Sequence, residues 1–136
     1  MKLIPYLNFD GQCEAAFKFY EQALGGKIVF MMTHGNSPMA EQTAPEWRDK
    51  VMHIHLEFNG MAVMGSDCPP GYYQKPQGVS LSINVDKIAD AERLYNALVK
   101  DGKVTMALDK TFWAERFGML QDQFGISWMI NCEKEI

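Results

Sequence analysis

The sequence predicts an α+β fold of two βαβββ modules, and three observations point to it. The first is an internal repeat: Leu7-Asn8-Phe9-Asp10 returns as Ile83-Asn84-Val85-Asp86, Ala15 as Ala91, and Gly26-Lys27-Ile28 as Gly102-Lys103-Val104, all at a spacing of 76 residues. The second is that each copy carries one apolar stripe at helical period, flanked by strand-like runs. The third is Asn59-Gly60 between two apolar runs, the strongest short-range hairpin signal, because a type I′ turn needs positive φ at both central residues. Two copies are too few for a solenoid and fit one pseudo-symmetric domain over 1–136. Its modules are 1–67 and 78–136, and the Pro- and Gly-rich stretch 68–77 links them.

Strand 3–9 opens the first module. Asp10 is the expected cap of the first helix, since its carboxylate can accept from the free N–H groups of the first turn. Cys13, Ala16, Phe17, Tyr20 and Leu24 form the apolar stripe, and Gly25-Gly26 provides the left-handed exit. Strands 27–33, 51–58 and 61–66 follow. The second module repeats this plan. Strand 79–85 leads to Asp86 as cap, Ile88, Ala91, Leu94, Tyr95 and Leu98 make the stripe, and Gly102 closes it. Strands 104–111, 115–121 and 126–132 complete it. Between them, 34–50 is an unusually long loop, of the kind that covers a site or moves.

A two-residue hairpin loop pairs Phe58 with Met61 and sets the register. His53, His55, Glu57, Ala62, Met64 and Ser66 then share one face, while Ile54, Leu56, Phe58 and Val63 face the first helix. In the second module, equating Gly60 with Gly125 matches Met64 to Met129 and His55 to Gly118. It places Arg116, Ser127, Met129 and Asn131 on the corresponding face. Trp128 then turns to the helix side as core.

Composition narrows the classes. With 47% hydrophobic and 22% charged residues, the chain reads as a soluble globular domain. A net charge of −4 with scattered Lys and Arg argues against nucleic acid, and no apolar run reaches the roughly 20 residues that span a bilayer. Pro5 interrupts the N-terminus too early for a signal peptide. Cys13, Cys68 and Cys132 have no paired spacing and read as reduced thiols of a cytoplasmic protein. Cys13, near a helix start, is either a packed small residue or an activated thiol.

Duplicated βαβββ units resemble the vicinal-oxygen-chelate superfamily, which includes glyoxalases, bleomycin-resistance proteins and extradiol dioxygenases. Within it the chain resembles the PhnB-like branch. The residues behind this are Pro5-Tyr6-Leu7, Phe19-Tyr20, Val51-Met52-His53 leading into Gly65-Ser66-Asp67, and Phe112-Trp113-Ala114-Glu115-Arg116-Phe117-Gly118 with Asp122, Phe124-Gly125 and Trp128. The resemblance implies mixed sheets curled around a cavity, helices outside, and a homodimer. It also implies a divalent metal held at four equivalent strand positions. Here those positions fall on Pro5, Leu81, Met64 and Met129, none of which is a hard-metal ligand. Some relatives carry a methyltransferase label, but no glycine-rich loop for such a cofactor occurs in this sequence.

The expected function is therefore binding of a small organic molecule in an apolar cavity, without the usual metal or any other cofactor. Met64, Leu81, Met129 and Trp113 would contact the ligand, and His53, His55, Glu57 and Arg116 would orient it. The alternative is a lyase, isomerase or dioxygenase. It would use His53, His55 and Glu57 as a displaced divalent metal site, or one histidine as acid–base group. No Ser in the chain has a nucleophile-elbow context.

Overall fold

The computed structural model describes residues 1–133, and its contacts divide the chain between Gln74 and Lys75. The boundary falls inside the stretch expected to link the modules. In the first unit, β1 (Tyr6–Phe9), α1 (Cys13–Leu24), β2 (Lys27–Thr33), β3 (Val51–Phe58) and β4 (Met61–Asp67) form a mixed sheet of order β1-β4-β3-β2. In the second, β5 (Leu81–Val85), α2 (Ile88–Leu98), β6 (Lys103–Asp109), β7 (Ala114–Gln121) and β8 (Ser127–Glu133) repeat that order as β5-β8-β7-β6. The first strand of each unit runs parallel to the last, and the other pairs are antiparallel. This is the predicted α+β class with two βαβββ modules. Among the described residues no helix is long and apolar enough to cross a membrane.

Each helix lies on one face of its own sheet. Cys13, Ala16, Phe17, Tyr20 and Leu24 are buried on α1, as are Ala91, Leu94, Tyr95 and Leu98 on α2, whereas Ile88 is exposed. The closest approaches are at glycines. A Cβ on Gly65 would lie 2.6 Å from the Phe17 ring, and one on Gly118 would lie 2.7 Å from the Tyr95 ring. The helix exits differ in which residue takes the left-handed conformation. In α1 it is Gly25 (φ 68°), as expected; after α2 it is Asp101 (φ 58°). Gly102 is needed for room instead, because a Cβ there would collide with the Gln121 carbonyl oxygen. Gly26 stands in the same place in the first unit, against the Glu57 carbonyl oxygen at 2.6 Å.

Neither predicted aspartate caps its helix. The N-cap residues are Gln12 and Lys87, and neither side chain bonds to its helix. Asp67, arriving from β4, serves α1 instead: Gly11 and Cys13 donate backbone N–H groups to its Oδ1 at 2.8 and 3.0 Å. Val51 N–H donates to Oδ2 at 2.9 Å. The loop 34–50 contains three short 3-10 turns, His34–Asn36, Ala40–Gln42 and Pro45–Trp47.

Candidate functional site

The Asn59-Gly60 turn has φ of 49° and 76°, and the register it sets runs through Phe58–Met61, Glu57–Ala62, His55–Met64 and Ile54–Gly65. Leu56, Ile54, Val63 and Gly65 are therefore buried under α1, while His53, His55, Glu57, Ala62 and Met64 point to the opposite, open face. β1 adds Tyr6, paired with Met64, and Asn8, paired with Ser66. On the other side, β2 carries a bulge between Ile28 and Phe30, after which Phe30 pairs with His55 and Met32 with His53. The extra residue flips the alternation, so Phe30 rather than Val29 reaches the open face.

Three rings gather there. Tyr6 stacks on His53 with centroids 5.7 Å apart, and Tyr6 Oη shares a 3.1 Å hydrogen bond with His53 Nδ1. Phe30 lies 5.9 Å from His53 on its other flank. Tyr6 and Phe30 remain 46% and 47% exposed, which leaves ring area available on this face. His55 Nε2 is 3.7 Å from Glu57 Oε2, too long for a hydrogen bond, and this buried nitrogen has no hydrogen-bond partner. The sequence reading missed Tyr6 and Phe30. Tyr6 could have been found by carrying the strand alternation back from Asn8, whereas Phe30 depends on the bulge.

The second unit builds the same face from different chemistry. Its register joins Gln121 to Ser127, Met119 to Met129 and Phe117 to Asn131, so Met119, not Gly118, is the counterpart of His55. The cause is the longer turn at Asp122–Gly125. There Asp122 Oδ1 accepts from the N–H groups of Phe124 and Ile126, and Trp128 Nε1 donates to Oδ2 at 2.8 Å. Trp128 is core, as expected, at 1% exposure. Trp113 sits edge-on to Phe117 at 5.4 Å and stays half-exposed, which places it at this face. Asn131 Oδ1 is buried without a hydrogen-bond partner.

Two expected site residues are corrected by the pairings. Arg116 is opposite Cys132, on the helix side, where its Nε lies 3.7 Å from Glu92 Oε1 on α2. The one-residue change of register turns it away from the face of Met129. Leu81 pairs with Trp128 and also faces the helix side; Ser82, paired with Met129, holds the open-face position. The same parity puts Tyr6, not Pro5, on the open face of the first unit.

The open-face pairs at or next to the positions expected for a metal are a phenol and a thioether in the first unit (Tyr6, Met64) and a hydroxyl and a thioether in the second (Ser82, Met129). Neither pair fits a hard divalent cation. Among the described residues no three His, Cys, Asp or Glu side chains are gathered to hold one. Cys13 is no activated thiol. Burial, and then the charges of Asp67 and Glu14, push its pKa far above the ordinary range.

A family model described as 3-demethylubiquinone-9 3-methyltransferase matches residues 1–131. The chain belongs to that family. This is the PhnB-like family. Protein YjdN of Escherichia coli K12 is 32% identical over 143 residues, covering 99% of this chain and 97% of YjdN. The crystal structure of protein PA1353 from Pseudomonas aeruginosa is 46% identical, covers 99% of both chains and superposes with a TM-score of 0.90. A PhnB protein from Bacillus cereus, 23% identical over 97% of this chain and 99% of its own, shares the fold with a TM-score of 0.79.

Proposed function

We propose that this PhnB-like protein binds a small organic molecule with a flat apolar part on the open face of its first sheet. The observation behind this is the half-exposed Tyr6–His53–Phe30 ring cluster on the face opposite α1. Met64 supplies an adaptable apolar contact, and the unpaired Nε2 of His55 calls for a polar group on the ligand. Met129 and Trp113 lie on the open face of the second unit. Arg116 and Leu81 have no part in this reading, because they face the helix side.

Methyl transfer is not part of it either. The helices follow Asp10-Gly11-Gln12 and Asp86-Lys87, which lack the clustered glycines that bring backbone N–H groups onto a nucleotide cofactor. A homodimer in a reducing cytoplasm completes the reading, and light scattering should return twice the 15.5 kDa chain mass.

Native mass spectrometry of the freshly purified protein tests the binding. We expect a co-purifying organic molecule whose affinity falls at least tenfold in Phe30→Ala and His53→Ala, about 1.4 kcal/mol or more. Absence of any such molecule, with a fragment screen that perturbs none of Tyr6, Phe30 or His53, would remove the proposal.

A catalytic reading has one observation in its favour, the His55–Glu57 imidazole–carboxylate pair at 3.7 Å. Such a pair could shorten around a substrate and let His55 act as a base. A turnover screen in which His55→Ala and Glu57→Gln match the unaltered protein disposes of it.

A further inference from the structure

The loop 34–50 has no counterpart of its length in the second unit, where only four residues separate β6 from β7. It is not a loose excursion. His34 N–H donates to Lys50 O at 2.9 Å and Gly35 N–H to Arg48 O at 2.8 Å, closing the base. Inside, Ser37 Oγ donates to His34 O, Met39 N–H donates to Ser37 Oγ, and Thr43 Oγ1 donates to Met39 O. The loop held in this way borders a partly open cavity of about 450 Å³ against the Pro69-Pro70 segment. That volume lies within the roughly 300–1,000 Å³ typical of small-molecule sites.

We infer that this cavity is a second binding site, separate from the open sheet face, for a small hydroxy-aromatic molecule of the phenol class. The walls are thioether, indole and pyrrolidine groups from Met39, Met52, Trp47, Pro69 and Pro70, which suit a flat ring. Its polar requirements run in both directions. His34 Nε2–H donates to the Asp67 carbonyl oxygen at 3.1 Å, which sets the tautomer and leaves Nδ1 as an acceptor. Trp47 Nε1–H is buried and has no acceptor. A phenolic hydroxyl both donates and accepts, the two capacities these groups call for. The site is distinct from the ring cluster because the β2–β3 register skips Met52, pairing Met32 with His53 and Thr33 with Val51. The bulge therefore takes Met52 out of the alternation that carries His53 and His55 to the open face.

The test is an NMR titration of the full chain, following the three tryptophan indole N–H resonances, with the Trp47 signal assigned from Trp47→Phe. With 4-ethylphenol as probe, the Trp47 resonance should shift saturably. Ethylbenzene, which lacks the hydroxyl, should bind at least fivefold more weakly. Ala44→Phe fills the cavity from an exposed position and should weaken 4-ethylphenol binding at least fivefold. Met39→Trp, at a half-exposed position, should do the same if Ala44→Phe fails to fold. An unmoved Trp47 resonance, or equal binding in a folded cavity-filling variant, overturns the inference. Shifts confined to Tyr6, Phe30 and His53 also overturn it while supporting the sheet-face site.

Discussion

Asp67 is 1% exposed and accepts three backbone N–H groups, two from the start of α1 and one from β3. Asp67→Ala leaves those donors without an acceptor and should lower stability by about 3 kcal/mol in denaturant unfolding. A loss under about 1 kcal/mol would show that solvent satisfies the donors instead. Capping by an adjacent residue can be read from sequence, but this cap arrives from 54 residues away, which is why Asp10 was expected in its place. Cys13 adds a pH dependence. Its folded pKa is raised above the ordinary value of 9.0, so the folded state holds the proton more tightly than the unfolded chain does. The contribution is full below about pH 9 and is lost as pH rises above it. The melting temperature should therefore fall between pH 8.5 and 10.5, and fall less in Cys13→Ala.

Among the elements, Gly65 and Gly118 are contact points between sheet and helix, and each leaves space only for a hydrogen. A Cβ at Gly65 meets the Phe17 ring and the Leu7 carbonyl oxygen; one at Gly118 meets the Tyr95 ring and the Leu108 backbone. Gly65→Ala and Gly118→Ala should each cost about 2 kcal/mol through overpacking. Gly60→Ala meets nothing within 4 Å and should cost about 1 kcal/mol through its positive φ alone. Thermal melts of the three variants check that order, and equal losses would contradict it. The Asn59-Gly60 hairpin was legible because its turn chemistry is local. The second hairpin was not, because Asp122 holds a longer turn that advances the register by one residue. That single step moves Arg116 to the helix side and brings Met119 opposite Met129.

At the scale of the whole molecule, the most exposed large hydrophobic side chains among the described residues outside the N-terminus mark two connections. Tyr72, between β4 and β5, is 78% exposed, and Phe112, between β6 and β7, is 87% exposed. Limited chymotrypsin digestion should cut first after these two residues, while trypsin should spare Lys75, which precedes Pro76. First cuts within β3 or β7 would contradict this map. The repeat also shows where the halves have diverged. Positions matched by register hold His53 and Phe117, His55 and Met119, Glu57 and Gln121. At these three positions the first unit carries titratable groups where the second has apolar or neutral ones.

By itself the sequence determined the duplicated βαβββ plan, the first hairpin register and the shared face of His53, His55, Glu57 and Met64. It could do so because helical period, strand alternation and turn chemistry are local properties of neighbouring residues. The tertiary structure alone decided that Phe30 and Tyr6 join His53, that Arg116 and Leu81 face the helices, that Asp67 caps α1, and that loop 34–50 borders a partly open cavity. Alternation can be extrapolated only until one inserted residue reverses it, and contacts across 40 or more residues leave no periodic trace in the chain.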